Sequence, residues 1–275
     1  MKTAIVLSGG GLSCSWSVGA ILGLAEKFKF KEPDILVAGS GSAGTGAYFC
    51  SGQLKSIENI WGNLLSNKKF LNFLRIHKIM DIDFLIDEIF KKLDPLDVKK
   101  LQNSKINFQI AATNYNTGKV KFFSDFRKID IFEVLRASKA MPVLYRKKIK
   151  IKKDKFSDGR FSSRIDLLLQ RAIFLGAEKI IAINVSGSYL PGKILFDFYN
   201  SLKNKIKRQE FFTKNLNKIK NFQIPKNINF IELNPQKEKS NLKPFVNCQK
   251  NLKKNIAAGR EFVFENKDLE KFITI

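Results

Sequence analysis

The sequence predicts an α/β protein in which helices flank a mainly parallel sheet. Three observations carry this. Short apolar runs at residues 3–7, 35–38 and 179–185 have the length and composition of interior strands. Segments of helical period separate them, the alternation that gives parallel strands joined by crossover helices. Two of these runs lead directly into glycine-rich turns, at residues 8–13 and 39–46, where a strand-to-helix junction bares backbone N–H groups toward a ligand. A chain of 275 residues, 44% hydrophobic and holding 25 Phe, has ample material for such a core.

Residues 3–7 open the chain as a buried strand, and residues 18–24 begin a helix. The turn between them, Ser8-Gly9-Gly10-Gly11-Leu12-Ser13, has two functional readings. A dinucleotide fingerprint would want Gly at 9, 11 and 14, and position 14 is Cys. An oxyanion hole asks only for flexible backbone donors, which Gly9, Gly10, Gly11 and Leu12 supply. Residues 31–38 form the second strand and lead to Ser42, set among the small residues Gly41, Ala43 and Gly44, with a helix from about Ala43 to Gly52. Such a turn suits a nucleophile elbow, too sharp for neighbours with bulky side chains. With Ser42 as its centre, Ser40 stands where the strict G-x-S-x-G pattern has glycine. A glycine-rich turn without chemistry is the other reading of the same stretch.

Residues 53–93 have helical periodicity, with Ile57, Ile60, Trp61, Leu64 and Leu65 on one face and Phe84, Leu85, Ile89 and Leu93 on another; Pro95 ends the pattern. Residues 106–113 alternate as a strand, 114–118 turn, and 119–124 return, giving a hairpin. Asp130 to Ser138 is helical and stops at Met141-Pro142. Residues 147–156 alternate Lys with Ile as an exposed hairpin and deliver the chain to Asp158-Gly159. Residues 167–176 form an apolar helix closed by Gly176. Beyond about Leu190 the character changes: residues 203–220 hold seven Lys or Arg against one Glu. Leu202, Ile206, Phe212, Leu216 and Ile219 there share a helical face, which can lie on an anionic bilayer or dock on its own domain. A last strand is expected at 229–233 and a closing helix at 247–264. The expected organisation is a catalytic domain over 3–187 and a basic, mainly helical C-terminal extension over 188–275 that packs on it.

Composition narrows the chemistry. Cys14, Cys50 and Cys248 are odd in number and unevenly spaced, so they make neither a disulfide framework nor a zinc cluster. No metal and no cofactor is called for. His77 is the one histidine, so a Ser-His-Asp triad would have to use it, and its basic flank suits a surface or partly buried structural role. A net charge of +24 suggests anionic partners such as a bilayer surface. No recognisable motif supports specific nucleic-acid binding. The short apolar part of the N-terminus is not a signal peptide, and no run suffices to span a bilayer; a cytoplasmic or peripheral-membrane protein is the expectation.

Taken together, Leu7-Ser8-Gly9-Gly10-Gly11, Ser42-Ala43-Gly44, Thr113 to Gly118, Arg136-Ala137-Ser138-Lys139-Ala140-Met141-Pro142, Asp158-Gly159 and the segment 175–182 follow one another in an order and spacing that resembles the patatin-like phospholipase family. The resemblance covers roughly residues 3–187. It implies a three-layer α/β/α fold with a mainly parallel central sheet, and a serine esterase acting on phospholipid or other fatty-acyl esters. It also implies Ser42 as nucleophile, Asp158 as general base of a Ser/Asp dyad, an oxyanion hole of Gly9, Gly10, Gly11 and Leu12 amides, and elbow and dyad support from Gly41, Ala43, Gly44 and Gly159. The departures from the pattern are Ser40 for the first elbow glycine, Ser13 and Cys14 after the glycine turn, and residues 162–166, which lack the usual Asn and Pro. A catalytically silent module that binds anionic membranes through its basic surface is the alternative.

Overall fold

The computed structural model describes residues 1–142, 144–158, 162–185, 222–236, 242–243 and 245–274. Eight strands among them form one sheet: β1 (Thr3–Leu7), β2 (Ile35–Gly39), β3 (Asn107–Asn114), β4 (Val120–Phe123), β5 (Ile149–Ile151), β6 (Asp154–Ser157), β7 (Lys179–Ile183) and β8 (Asn229–Leu233). Their order is β5-β6-β3-β2-β1-β7-β8, with β4 also on β3. The pairs β8–β7, β7–β1, β1–β2 and β2–β3 are parallel, while β4 and β6 run antiparallel to β3 and β5 to β6. The sheet is therefore mixed and mostly parallel.

Strand alternation feeds two separate apolar layers. Ile5, Leu7, Leu36, Ala38, Ile181 and Ile183 face one side, where they meet α1 (Cys14–Lys27), α2 (Gly41–Cys50), α5 (Ile131–Lys139) and α7 (Gln249–Glu265). Ala4, Val6, Ile35, Val37, Ile180 and Ala182 face the other, against Ile165, Leu168, Leu169 and Ala172 of α6 (Ile165–Phe174). This is the three-layer α/β/α arrangement that the family resemblance implies. From β1 the chain goes to β2 on one side and, much later, β7 on the other, so the crevice at the carboxyl ends of these strands is the natural ligand site of an open α/β sheet.

Helix α1 lies directly on α7 through two glycines. A Cβ on Gly19 would come 1.9 Å from the Ile256 carbonyl oxygen, and one on Gly259 would come 2.1 Å from the Trp16 carbonyl oxygen. Helix propensity alone predicts that Gly259→Ala stabilises the protein by up to about 1 kcal/mol. Contact between two backbones reverses the sign, because neither carbonyl is the end of a flexible side chain. Gly259→Ala is expected to destabilise by about 1–3 kcal/mol, read as a lower denaturant midpoint.

Two expectations are corrected in part. Residues 53–93 are not one helical stretch. The helix α3 (Leu54–Asn59) runs into a wide turn over Ile60–Leu64 with i→i+5 bonding (Leu65 N–H to the Ile60 carbonyl, 2.9 Å), and a second stretch of such winding covers Phe84–Leu93, ahead of the short helix α4 (Val98–Asn103). The wider winding shifts the angular positions that a 3.6-residue period assumes, and Leu93, expected on the apolar face, is exposed. The hairpin at 147–156 is only half exposed: Ile149, Ile151 and Phe156 are buried, and its Lys side chains face outward. The basic segment 203–220 and Gly159 lie outside the described residues.

Candidate active site

Strand β2 ends at Gly39 and α2 begins at Gly41. The single residue between them, Ser40, takes φ 51° and ψ −126°. A residue with a Cβ pays about 1–3 kcal/mol for such backbone, which persists only when its surroundings hold it. They do. A Cβ on Gly39 would lie 2.0 Å from the Ser162 carbonyl oxygen, and one on Gly41 would lie 2.7 Å from the Gly11 carbonyl oxygen. Both neighbours must therefore be glycine for the turn to close.

The end of α5 grips this turn from the far side. The Ser40 N–H donates to Ser138 Oγ at 2.9 Å, and Ser138 Oγ donates to the Ala111 carbonyl at 2.7 Å, tying the elbow to β3. Lys139 Nζ donates to the carbonyls of Ser40 (2.7 Å) and Gly41 (2.8 Å). Helix α5 is itself fixed by Arg136, a buried guanidinium paired with Asp83, Asp87 and Glu133. None of these roles for Ser138 and Lys139 was legible in the sequence, where both sit about a hundred residues from the elbow.

Asp158 arrives by strand pairing. Ser157 of β6 pairs with Thr113 near the carboxyl end of β3, which sets the next residue over the ends of the parallel strands. Its N–H donates to the Ala140 carbonyl at 2.9 Å, so α5 positions this residue as well. Ser40 Oγ donates to Asp158 Oδ2 at 2.5 Å, and Ser162 Oγ donates to Oδ1 at 3.4 Å. The partner of Asp158 is thus Ser40, where the sequence had suggested Ser42. Ser42 Oγ instead donates to the Ser8 carbonyl at 2.7 Å, and the Cys14 thiol lies beside it. The reason is local: Ser42 lies inside α2, whereas Ser40 stands before it with non-helical φ and ψ, so the two side chains leave the turn in different directions.

Burial pushes the Asp158 carboxyl up to about 7, while the Ser40 hydroxyl, the Lys139 charge and the Ser162 hydroxyl each pull it down. Burial also lowers the Lys139 ammonium to about 8, opposed by Cys14 and Asp158. The Cys14 thiol is raised to about 11 by burial, so it stays protonated at neutral pH and is a poor nucleophile.

Of the expected oxyanion donors, Gly9 is already spent: its N–H donates to the Ser163 carbonyl at 2.9 Å. Gly11 and Leu12 open a tight helical turn over Gly11–Ser13, and the first N–H groups of such a turn have no partner inside it. Gly11 has φ 58°, which favours glycine. Ala43 and Gly44 are buried in α2, and the bare Gly44 backbone leaves room for the Phe90 ring and Lys139 Nζ.

Gly11, Leu12, Ser40, Gly41, Lys139 and Asp158 meet at one end of a narrow cleft. The remaining walls are apolar, chiefly Trp61, Leu65, Phe70, Met80, Leu85 and Phe90. A greasy cleft with a few convergent polar groups at one end is what a ligand with a polar head and a hydrocarbon chain requires. His77 is exposed and does not line it.

The patatin-like phospholipase family model matches residues 5–169. Among solved structures, the chain is similar to the crystal structure of VipD from Legionella pneumophila at 13% identity and a TM-score of 0.48, with 96% of this chain and 67% of that one covered. None of the curated proteins matches it significantly. The family match spans more than half of the chain and contains the glycine turn, the elbow and Asp158; this protein belongs to the patatin-like phospholipase family, whose chemistry is hydrolysis of lipid esters.

Proposed function

We propose that the protein is a serine-dependent lipid acyl hydrolase, of phospholipase A or lysophospholipase type, in which Ser40 is the nucleophile and Asp158 the general base. The observation that carries this reading is the 2.5 Å hydrogen bond from Ser40 Oγ to Asp158 at a serine held at positive φ. Strain of that kind clusters where a side chain must be aimed at a substrate.

The acyl chain lies along the apolar walls and presents its ester carbonyl to Ser40. As Oγ attacks the carbonyl carbon, its proton passes to Asp158 Oδ2. Negative charge collects on the former carbonyl oxygen, where the Gly11 and Leu12 N–H groups are the available donors. The tetrahedral adduct then expels the alcohol, which takes the proton from Asp158, and an acyl ester remains on Ser40. A water molecule gives its proton to Asp158 and attacks that ester, releasing the fatty acid and returning the proton to Ser40. Asp158 suits both directions of transfer because burial brings its carboxyl close to neutrality.

A fluorophosphonate probe tests this: it should label the protein, and the adduct should map to Ser40. Labelling that maps elsewhere, or no labelling at all, removes the proposal.

Lys139 makes a separate prediction. Its charge favours the ionised form of Asp158, and its two hydrogen bonds hold the elbow carbonyls. Lys139→Met is expected to move the acid limb of the kcat/KM profile to higher pH. The same change should cost about tenfold in rate at neutral pH, checked on a soluble short-chain ester across pH.

A further inference from the structure

Between the two wide turns, residues 66–80 run without regular secondary structure and form one wall of the cleft. Phe70 and Met80 point inward and line it. Backbone bonds from Asp81 to Phe70 (2.7 Å), Asn72 to Ile79 (2.8 Å) and Met80 to Leu144 (3.0 Å) fix the base of this loop. Its tip has a defined shape too: the Leu74 N–H donates to Asn72 Oδ1 at 2.9 Å, and Arg75 reaches back to Asp81 at 3.1 Å and to the Phe70 carbonyl at 3.2 Å.

The result is an ordered turn that holds three large apolar side chains out in solvent. Phe73 is 62% exposed, Leu74 92% and Ile76 69%. The other exposed large hydrophobics among the described residues, such as Leu93 and Phe174, are dispersed along the chain. Isolated exposed apolar residues need no explanation, but three within four positions, on a loop whose base lines the cleft, mark an interaction surface.

The rim identifies the partner. Lys68 and Lys69 precede the tip, and the pairing of Lys78 with Tyr145 and of the Arg146 N–H with the His77 carbonyl (3.2 Å) brings Arg146, Lys147 and Lys148 beside it. The nearby carboxylates are already engaged, Asp81 with Arg75 and Asp83 with Arg136 and Lys78. Among the described residues no ion pair engages Lys68, Lys69, Arg146 or Lys148, and the whole chain carries +24. An apolar tip inside a cationic ring is complementary to an anionic bilayer, whose acyl region takes the hydrocarbon side chains while its headgroups meet the cations. We infer that the Phe73–Ile76 tip inserts into anionic lipid surfaces and sets the mouth of the cleft against the bilayer. This gives the hydrolase reading a lipid surface to work from and rests on that reading for its purpose, though not for its test.

The test is co-sedimentation with phosphatidylcholine vesicles, with and without phosphatidylglycerol, using the Ser40→Ala protein so that no turnover intervenes. Binding should require phosphatidylglycerol and weaken with salt. The triple change Phe73→Ser, Leu74→Ser and Ile76→Ser should reduce it about tenfold or more at an unchanged melting temperature, while Phe174→Ser, near the opposite ends of the strands, should leave it intact. Leu74→Trp gives a direct readout, because Trp16 and Trp61 are buried: its emission should shift to the blue when anionic vesicles are added. A triple variant that binds like its parent, or a Leu74→Trp emission that stays put, overturns the inference. A protein that ignores anionic vesicles altogether also overturns it, and the tip then belongs to a protein partner. Hydrolysis of a soluble short-chain ester by the unaltered protein, run in parallel, reports on the catalytic reading alone.

Discussion

Ser40→Ala is expected to abolish ester hydrolysis and fluorophosphonate labelling, lowering kcat by about 10³–10⁶-fold, while Ser42→Ala keeps activity within about tenfold of the parent. The two serines are two residues apart and equally small, and both are buried, but Ser40 lines the cleft and Ser42 does not. Geometry separates them further. Ser40 Oγ contacts the carboxylate that would take its proton, and its backbone is held at φ 51° by glycines on both sides and by Ser138 and Lys139 from α5. Ser42 Oγ has turned to the Ser8 carbonyl, where its proton has no base to go to. Removing the Ser42 hydroxyl costs one buried hydrogen bond, about 0.5–1.5 kcal/mol of stability, and leaves the reacting atoms in place. Steady-state kinetics on a soluble aryl ester, with mass mapping of the probe adduct, distinguishes the variants. An inactive Ser42→Ala with an active Ser40→Ala would falsify the pairing.

Asp158→Asn should give the second large effect, and in two opposite directions. Activity should fall by about 10²–10⁴-fold, because the amide cannot take a proton from Ser40. Stability at neutral and higher pH should rise. An unfolded chain ionises this carboxyl around its ordinary value of 3.8, whereas in the fold burial holds it protonated up to about 7. Below pH 3.8 both states carry the proton and nothing is lost. As pH climbs from there to about 7, the unfolded state gains the freedom to ionise and the folded state does not, so stability falls across that window. Above about 7 the penalty is constant, at most about 4 kcal/mol. Asn carries no such penalty, so Asp158→Asn should raise the melting temperature at pH 8 and change it little near pH 3. The unaltered enzyme should gain kcat/KM as pH rises through about 7, since only the carboxylate can act as base. Calorimetry and a pH–rate profile measure the two halves, and a variant that is both inactive and destabilised at pH 8 would assign Asp158 a structural duty instead.

Much of the architecture was written locally. Residues 3–7, 35–38, 107–113 and 179–183 are continuous apolar or alternating runs, and each is a strand of the sheet. The Asn114 turn, with Gly118 at φ 71°, closes the expected hairpin, and Gly176 at φ 86° ends α6 as a C-terminal glycine should. Side-chain period and turn chemistry belong to a few neighbouring residues, so they survive without knowledge of the fold. The helical reading of 53–93 failed where i→i+5 bonding replaced the regular turn, because the period it assumed no longer held.

The elbow shows where local information stops. Its sequence, Gly39-Ser40-Gly41-Ser42-Ala43-Gly44, sets a serine on a tight turn but offers two of them with small residues on either side. Choosing between them depends on one backbone angle, and that angle is fixed by contacts with Ser138, Lys139, Ser162 and Gly11 from other parts of the chain. The same holds for Gly259, which helix propensity marks as a weakness and the α1 backbone makes a necessity. By itself the sequence determined the strands, the position of the sharp turn, the glycine turn before it and the carboxylate after it. Only the tertiary structure decided which serine meets that carboxylate, because a hydroxyl's direction at a strand-to-helix turn is set by what presses on the backbone from outside the turn.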